Sequence, residues 1–226
     1  YVKKIYTKQN ASISLDASAF YTYFDNRIIP DYLTNPNKII YSNLDGYATS
    51  KGMSLNIDMA FQNGLTILAG ATLMNVNFTD GGVKNRQLLT ERFTGVWNIG
   101  YTLPKLKLKL DYTGNLYGSM LLPLLGELDN RAAKSPLWSL QNIQLTKLIN
   151  TKFKIYGGVK NLLNFTPPAN SIARSFDPFD KEVTFNQKGQ VVATPNNPNA
   201  LSFDPSYVFA PNQGIRGFLG FRYTIN

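Results

Sequence analysis

The sequence contains neither cysteine nor histidine. Without cysteine there are no disulfides and no thiolate nucleophile or metal ligand. Without histidine every scheme built on an imidazole falls away: Ser-His-Asp hydrolysis, His-ligated zinc, a histidine pH switch. Charge is also sparse, at 16% of residues against roughly 25% in an average soluble domain. Long hydrophobic runs are missing as well, and nothing approaches the ~18 consecutive apolar residues of a transmembrane helix. The net charge of +9 raises nucleic acid as a partner, but the basic residues are scattered, with no basic helix and no RNP-like segment, so no nucleic-acid partner is expected. The chain starts Tyr1-Val2-Lys3-Lys4, neither a signal peptide nor a natural N-terminus, and it is expected to be a piece of a longer protein.

Aromatics are abundant, with 13 Tyr and 14 Phe. Low charge, many rings and modest hydrophobicity suit a transmembrane barrel, in which only every second residue faces lipid. The chain alternates with period two almost throughout. Ile13, Leu15, Ala17, Ala19, Tyr21 and Tyr23 share one face, and the polar set opposite is interrupted by Phe20. Met53, Leu55, Ile57, Met59 and Phe61 oppose Ser54, Asn56 and Asp58. Phe93, Trp97, Ile99, Tyr101 and Leu103 form a third such face, and Leu106, Leu108, Leu110 and Tyr112 alternate with Lys107, Lys109, Asp111 and Thr113. Phe153, Ile155 and Val159 oppose Lys154, Tyr156 and Lys160, and a last segment sets Ile215, Leu219, Phe221, Tyr223 and Ile225 against Arg216, Arg222 and Thr224. Two segments are less regular. After Leu65–Leu73, Val76 and Phe78 fall on the other face, which points to a bulge or the rim, and Leu137 to Ile149 alternates only near its end.

The connections discriminate further. Gln62-Asn63-Gly64, Pro104-Lys105 and Asn150-Thr151 read as tight turns. Between them lie longer polar links near 30–37, 79–90, 119–136 and 165–212. Strict alternation of short and long links is the asymmetry of an outer-membrane barrel, with short periplasmic turns and long outer loops. It sets the strand from Ile13 running outward and the last strand inward, leaving the C-terminus in the periplasm. Phe61, Tyr101, Phe153 and Tyr223 then fall near the short-turn interface, and Tyr21, Tyr23 and Phe93 near the long-loop interface, as aromatic girdles do. A Lys at the lipid midplane costs ~2–4 kcal/mol, so the charged set must take the opposite face. Ile57, Leu108, Ile155 and Phe221 are expected on the outer wall, and Asp58, Lys109 and Lys154 inward.

Local motifs carry a resemblance beyond the barrel itself. Phe20-Tyr21-Thr22-Tyr23-Phe24-Asp25-Asn26-Arg27-Ile28-Ile29 resembles an outward strand of TonB-dependent receptors, and Asn43-Leu44-Asp45-Gly46-Tyr47 through Gly52-Met53-Ser54-Leu55 resembles their next strand. Gly157-Gly158-Val159-Lys160-Asn161-Leu162-Leu163-Asn164 is similar to the end of their penultimate strand. Tyr207-Val208-Phe209-Ala210-Pro211-Asn212-Gln213-Gly214-Ile215-Arg216 is similar to the lead-in to the final strand, and Gly220-Phe221-Arg222-Tyr223-Thr224-Ile225-Asn226 to the strand that the barrel-assembly machinery recognises. Here Gly214-Ile215-Arg216 replaces an adjacent Gly-Arg, and the chain ends in Asn226 rather than Phe. The resemblance, to a Bacteroidetes-like member, implies an all-β antiparallel transmembrane barrel of about 22 strands, of which about eight full strands and the tail of another lie here. The N-terminal plug, its TonB box and the remaining barrel strands lie outside this sequence. Open sheet edges are not tolerated in lipid, so those strands must come from upstream sequence or another chain.

The implied function is TonB-driven uptake of a scarce nutrient such as a ferric siderophore or similar metal chelate, with no catalysis and no cofactor. The implied partners are outer-membrane lipid, the protein's own plug and strands, the TonB complex and the assembly machinery. A surface lipoprotein is a further candidate. Ligand contacts are expected from the long connection 165–212, which also carries Phe165: Arg174, Phe176, Phe179, Lys181, Phe185, Tyr207 and Phe209, whose rings and cations suit an anionic or aromatic ligand. The alternative for any of these is packing of the loop on itself, or a short added hairpin. Met120-Leu121-Leu122-Pro123-Leu124-Leu125-Gly126 is an apolar outer loop that contacts a ligand or partner, or is capped by its neighbours. Asp16, Asp58, Lys107, Lys109, Asp111, Lys154, Lys160, Arg216 and Arg222 are the candidates to face the lumen and the plug. Rival readings are a passive porin or another outer-membrane barrel, an outer-membrane protease or phospholipase (enzymes that generally rest on the histidine missing here), a soluble sandwich such as a carbohydrate-binding or adhesion module, or a receptor for cobalamin, glycan or peptide.

Overall fold

The computed structural model describes residues 1–31, 40–123, 132–167, 184–188, 190–195 and 208–225. Along the chain the strands are β1 (Val2–Lys8), β2 (Ala11–Asp25), β3 (Ile28–Asp31), β4 (Ile40–Asn43), β5 (Gly46–Phe61), β6 (Leu65–Asp80), β7 (Val83–Arg86), β8 (Phe93–Leu103), β9 (Leu108–Tyr117), β10 (Trp138–Leu148), β11 (Phe153–Lys160), β12 (Thr184–Phe185), β13 (Val191–Val192) and β14 (Arg216–Tyr223). One antiparallel meander runs β1-β2-β5-β6-β8-β9-β10-β11-β14, with β7 added beside the far end of β6. The hairpins β3–β4 and β12–β13 stand apart from it. The sheet does not close on itself: β1 and β14 are its two edges.

Each short connection has a local cause. Gly64 takes φ +88, which favours glycine, and the Asn63 side chain accepts the Leu65 N–H at 3.1 Å. Asn150 Oδ1 accepts the N–H groups of both Lys152 and Phe153 at 2.9 Å. After Pro104 the chain makes one 3-10 turn, and Lys107 closes it with φ 49 and ψ 42. Strand β9 therefore begins at Leu108. The alternation read from Leu106 overran the strand by one turn, so Leu106 and Lys107 stand exposed at the short-turn end rather than in the sheet. That is a correction to Lys107 as a wall residue.

Cross-strand register fixes the two faces. Leu15↔Ile57, Ile57↔Ala69, Ile67↔Ile99, Tyr101↔Leu110, Leu110↔Leu145 and Ile155↔Phe221 lie on one face. Asp16↔Asn56, Thr102↔Lys109, Asp111↔Gln144, Lys154↔Arg222 and Lys160↔Arg216 lie on the other. Ile155 and Phe221 are exposed, while Ile57 and Leu108 are half-buried against neighbours within the sheet. The buried apolar residues Ile29, Leu44, Ala48, Met120, Leu122 and Trp138 all sit at the long-loop end. A two-sheet sandwich would bury its mid-strand apolar positions. Here Met53, Leu55 and Leu73, inside the sheet, stay open on that face, which suits contact with lipid.

Strand β6 contains no bulge. Its pairing with β5 is unbroken from Ala60↔Thr66 to Gly46↔Asp80. Val76 and Phe78 simply belong to the polar-face phase beyond the apolar band, and Phe78 packs on Ile29, Leu44 and Ala48. The irregular Phe20 has a similar reason. Its ring lies over Gly52, the residue directly opposite, so the glycine leaves room for it.

Candidate functional site

The long-loop end of β9, β10 and β11 gathers three rings. Tyr117 stacks on Trp138 at 4.1 Å between centroids and 19° between planes, and Trp138 stacks on Phe165 at 5.5 Å and 9°. Tyr117 and Trp138 face each other across the β9–β10 ladder, in the same phase as Asp111 and Gln144. Tyr117 is steadied by an Asn115 amide donating to its hydroxyl at 3.2 Å. The indole of Trp138 is 6% exposed, and its Nε1–H has no hydrogen-bond partner among the described residues. An unpaired buried donor costs about 1–3 kcal/mol, which an acceptor that reached this N–H would recover. Beside the stack is a cavity of about 420 Å³ lined by Leu89, Glu91, Met120, Leu140 and Phe209 together with Trp138.

The floor beside this cavity is built by the apolar loop after Gly118. Ser135, 3% exposed, is the peg: its hydroxyl accepts the Met120 N–H at 3.1 Å, its N–H donates to Met120 O at 3.0 Å, and its carbonyl accepts the Ser119 hydroxyl at 2.6 Å. The Leu122 N–H donates to Ala133 O at 3.0 Å, and Leu89 N–H to Leu121 O at 2.8 Å. Met120 and Leu122 are buried under Leu89 and Phe209, and Pro123 is buried too. These three residues are capped by neighbouring loops and offer no open apolar patch. Leu124, Leu125 and Gly126 lie outside the described residues.

Asn161 joins this end to the final strand. It is 4% exposed, with φ 53. Its amide donates to Phe165 O at 2.7 Å and to Gln213 O at 3.1 Å, and its Oδ1 accepts the Phe165 N–H at 2.9 Å. Its own N–H donates to Asn142 Oδ1 at 3.1 Å. Asn164 continues the clasp by accepting the Ile215 N–H at 2.8 Å. The ends of connection 165–212 are thereby held together, and Phe165 is held against Trp138. By alternation from Ile155 and Val159, Asn161 would fall on the lipid side, but the chain leaves β11 at Lys160 and turns in at this residue.

Below the mouth the polar face is concave between β8 and β14. A cavity of about 540 Å³ is bordered by Asn98, Lys109, Asp111, Asn142, Gln144 and Lys160. Lys109 and Asp111 are paired at 2.7 Å, and Lys160 lies 5.5 Å over the Phe218 ring. Asp16 is held by Lys3 at 3.8 Å and by the Tyr1 hydroxyl. Asp58, Lys154, Arg216 and Arg222 stand on the same face by register. Of the expected ligand contacts, Phe209 joins the mouth, whereas Phe185 is half-exposed on the separate β12–β13 hairpin. Arg174, Phe176, Phe179, Lys181 and Tyr207 lie outside the described residues. Tyr117 and Trp138 escaped the sequence reading. Their signal was a ring standing in the polar phase at a long-loop end. Among the described residues no cluster of three or more acidic side chains could hold a metal ion.

Comparison with known proteins follows the same lines. The sequence model of the family described as TonB dependent receptor-like, beta-barrel matches residues 3–162. A search among curated proteins returns no match. Among solved structures the chain is similar to the ferric-catecholate import receptor Fiu from E. coli K12, with 12% identity, TM-score 0.59, 98% of this chain and 26% of that one covered. It is similar to the pyoverdine outer membrane receptor FpvA from Pseudomonas aeruginosa PAO1, with 16% identity, TM-score 0.58, and coverage of 99% and 28%. It is also similar to the ferric yersiniabactin uptake receptor FyuA from Yersinia pestis, with 16% identity, TM-score 0.53, and coverage of 72% and 24%. The chain thus spans about a quarter of the length of these receptors. At such identities the structures speak for the fold, an open segment of an antiparallel transmembrane β-barrel, and the family model speaks for descent: the chain belongs to the TonB-dependent receptor-like β-barrel family of the bacterial outer membrane.

Proposed function

We propose that the protein containing this chain is a TonB-dependent receptor that takes up a ferric siderophore or similar metal chelate, captured at the mouth of the long loops. The observation that carries this reading is the Tyr117–Trp138–Phe165 stack with its unpaired indole N–H. Flat rings accept the planar chelating groups of such ligands, and a buried donor favours an oxygen-rich acceptor over water. Below it the polar face becomes the lumen wall, since its charges are costly in lipid. There Asp58, Lys109, Asp111, Lys154, Lys160 and Arg222 present groups that the plug can bind and release. The upstream strands and plug complete the barrel, and TonB supplies the work from the periplasmic side. The three similar structures are themselves receptors for a ferric catecholate, pyoverdine and ferric yersiniabactin, which agrees with this ligand class.

The test is uptake of labelled ferric catecholate, hydroxamate and mixed chelates by cells that carry the full-length protein as their only chelate receptor. Uptake of at least one chelate is expected, and its loss on deletion of tonB. Trp138→Ala is expected to raise the half-saturating concentration about tenfold, the loss of one stacked ring and one hydrogen bond. Uptake that persists without TonB points to a passive porin. Growth on cobalamin, glycan or peptide with no chelate uptake replaces the ligand class.

A further inference from the structure

Among the described residues that line the mouth cavity, Glu91 alone carries a charge. It stands on the link between β7 and β8, and that link is tied down on both sides. Ahead of it, Leu89 takes φ 51 and donates its N–H to Leu121 O at 2.8 Å, which pins the link to the apolar loop. Arg86 donates to Thr90 O at 3.1 Å. Behind it, Arg92 O accepts the Met74 N–H at 2.9 Å, where β8 joins the sheet. Glu91 is thereby held at the wall of the cavity among Leu89, Met120, Leu140, Phe209 and Pro211.

Glu91 is half-buried, and among the described residues its carboxylate has no ion pair. Arg86 and Arg92 are close in sequence, yet neither pairs with it. Apolar walls that partly shield a carboxylate from water strengthen its attraction for a cation and its repulsion of an anion. A metal ion does not fit. Hard cations take about six or more oxygens, and among the described residues Glu91 belongs to no cluster of three or more acids that could hold one. An organic cation does fit. An ammonium or guanidinium forms charge-assisted hydrogen bonds to a single carboxylate, and its apolar stem can lie on Met120, Leu140 and Phe209.

We propose that Glu91 selects chelates that carry a cationic group, an ammonium or guanidinium on an apolar arm, and disfavours polyanionic ones. The inference rests on the proposed uptake of a metal chelate and adds to it the charge of the ligand.

The experiment measures retention of iron-labelled chelates by the purified full-length receptor in non-ionic detergent. The probes are a linear ferric tris-hydroxamate ending in a free ammonium (ferrioxamine B), its N-acetylated form with the same iron centre and no charge, and a trianionic ferric tris-catecholate. The ammonium form is expected to bind about tenfold or more tightly than the acetylated form, the effect of one charge-assisted hydrogen bond. The tris-catecholate is expected to bind more weakly than both. Glu91→Gln is expected to bring the first two chelates to equal affinity. Glu91→Lys is expected to reverse the order, a gain of tris-catecholate binding that an unfolded variant cannot show. Heat-modifiable migration on gels shows which variants are folded. Equal retention of the ammonium and acetylated forms by the parent, or a preference unchanged in folded Glu91→Gln, overturns the proposal. So does tighter binding of the tris-catecholate by the parent, the outcome that Arg174 and Lys181 would favour. Failure to retain ferrioxamine B overturns it too: uptake of another chelate would then leave the proposed function standing, whereas loss of all chelate uptake removes both.

Discussion

Valine at Gly158 is expected to leave almost no folded barrel. Gly158 faces Gln144 on one side and Phe218 on the other. A Cβ there would overlap the Ile143 carbonyl oxygen and come within 2.9 Å of both Gln144 Cα and the tip of the Phe218 ring. The ring can swing aside, but the backbone cannot move without parting β10 from β11. In a bilayer each ladder group left unpaired costs several kcal/mol. Refolding of full-length Gly158→Val into micelles, followed by the gel shift of the folded form, is expected to show a near-complete loss. Adding Phe218→Ala should not rescue it. If the double variant refolds like the parent, the backbone contact is not the obstacle. Gly217 supplies the control, because a Cβ there meets nothing nearer than 4.0 Å, so Gly217→Ala should fold normally.

Asn161→Ala is expected to cost about 4–5 kcal/mol. Three side-chain hydrogen bonds contribute about 1 kcal/mol each, and a left-handed backbone costs alanine a further 1–2 kcal/mol, roughly. The bonds removed are those to Phe165 N–H, Phe165 O and Gln213 O, while the Asn161 N–H keeps its partner Asn142. Asn161→Gly separates the two contributions: it retains φ 53 without strain and is expected to be the milder variant by about 1 kcal/mol. Urea-unfolding midpoints of the full-length protein decide the matter. Equal midpoints for both variants would show that the backbone conformation contributes nothing. A midpoint unchanged by alanine would show that the clasp is not structural. Because Phe165 hangs on this asparagine, both variants should also weaken chelate capture through the loosened Trp138 stack.

These two positions mark how far the residues could be read without coordinates. The Gly157-Gly158 and Asn161-Asn164 pattern carried the family resemblance, but why those residue types are required emerged only from the neighbours they meet. Gly158 is needed because β10 approaches it closely, and Asn161 because Gln213, on the far side of a long connection, needs a donor. Lys107 shows the reverse case. Its phase matched a strand, and a proline three residues earlier was already the cue for the turn that removed it from the wall.

Period-two alternation, the short and long links, and the girdle placement were determined by the sequence alone. Each is a local consequence of a pleated strand that meets lipid on one face and water on the other, so no knowledge of distant partners is needed. The mouth was decided only by tertiary structure. Tyr117, Trp138 and Phe165 come together because the β9–β10 register and the Asn161 clasp superpose their ends, and Met120 and Leu122 are buried because Ser135, Leu89 and Phe209 close over them. Registers between strands and closures of long loops are set by contacts far apart in the chain, and no short window of sequence contains them.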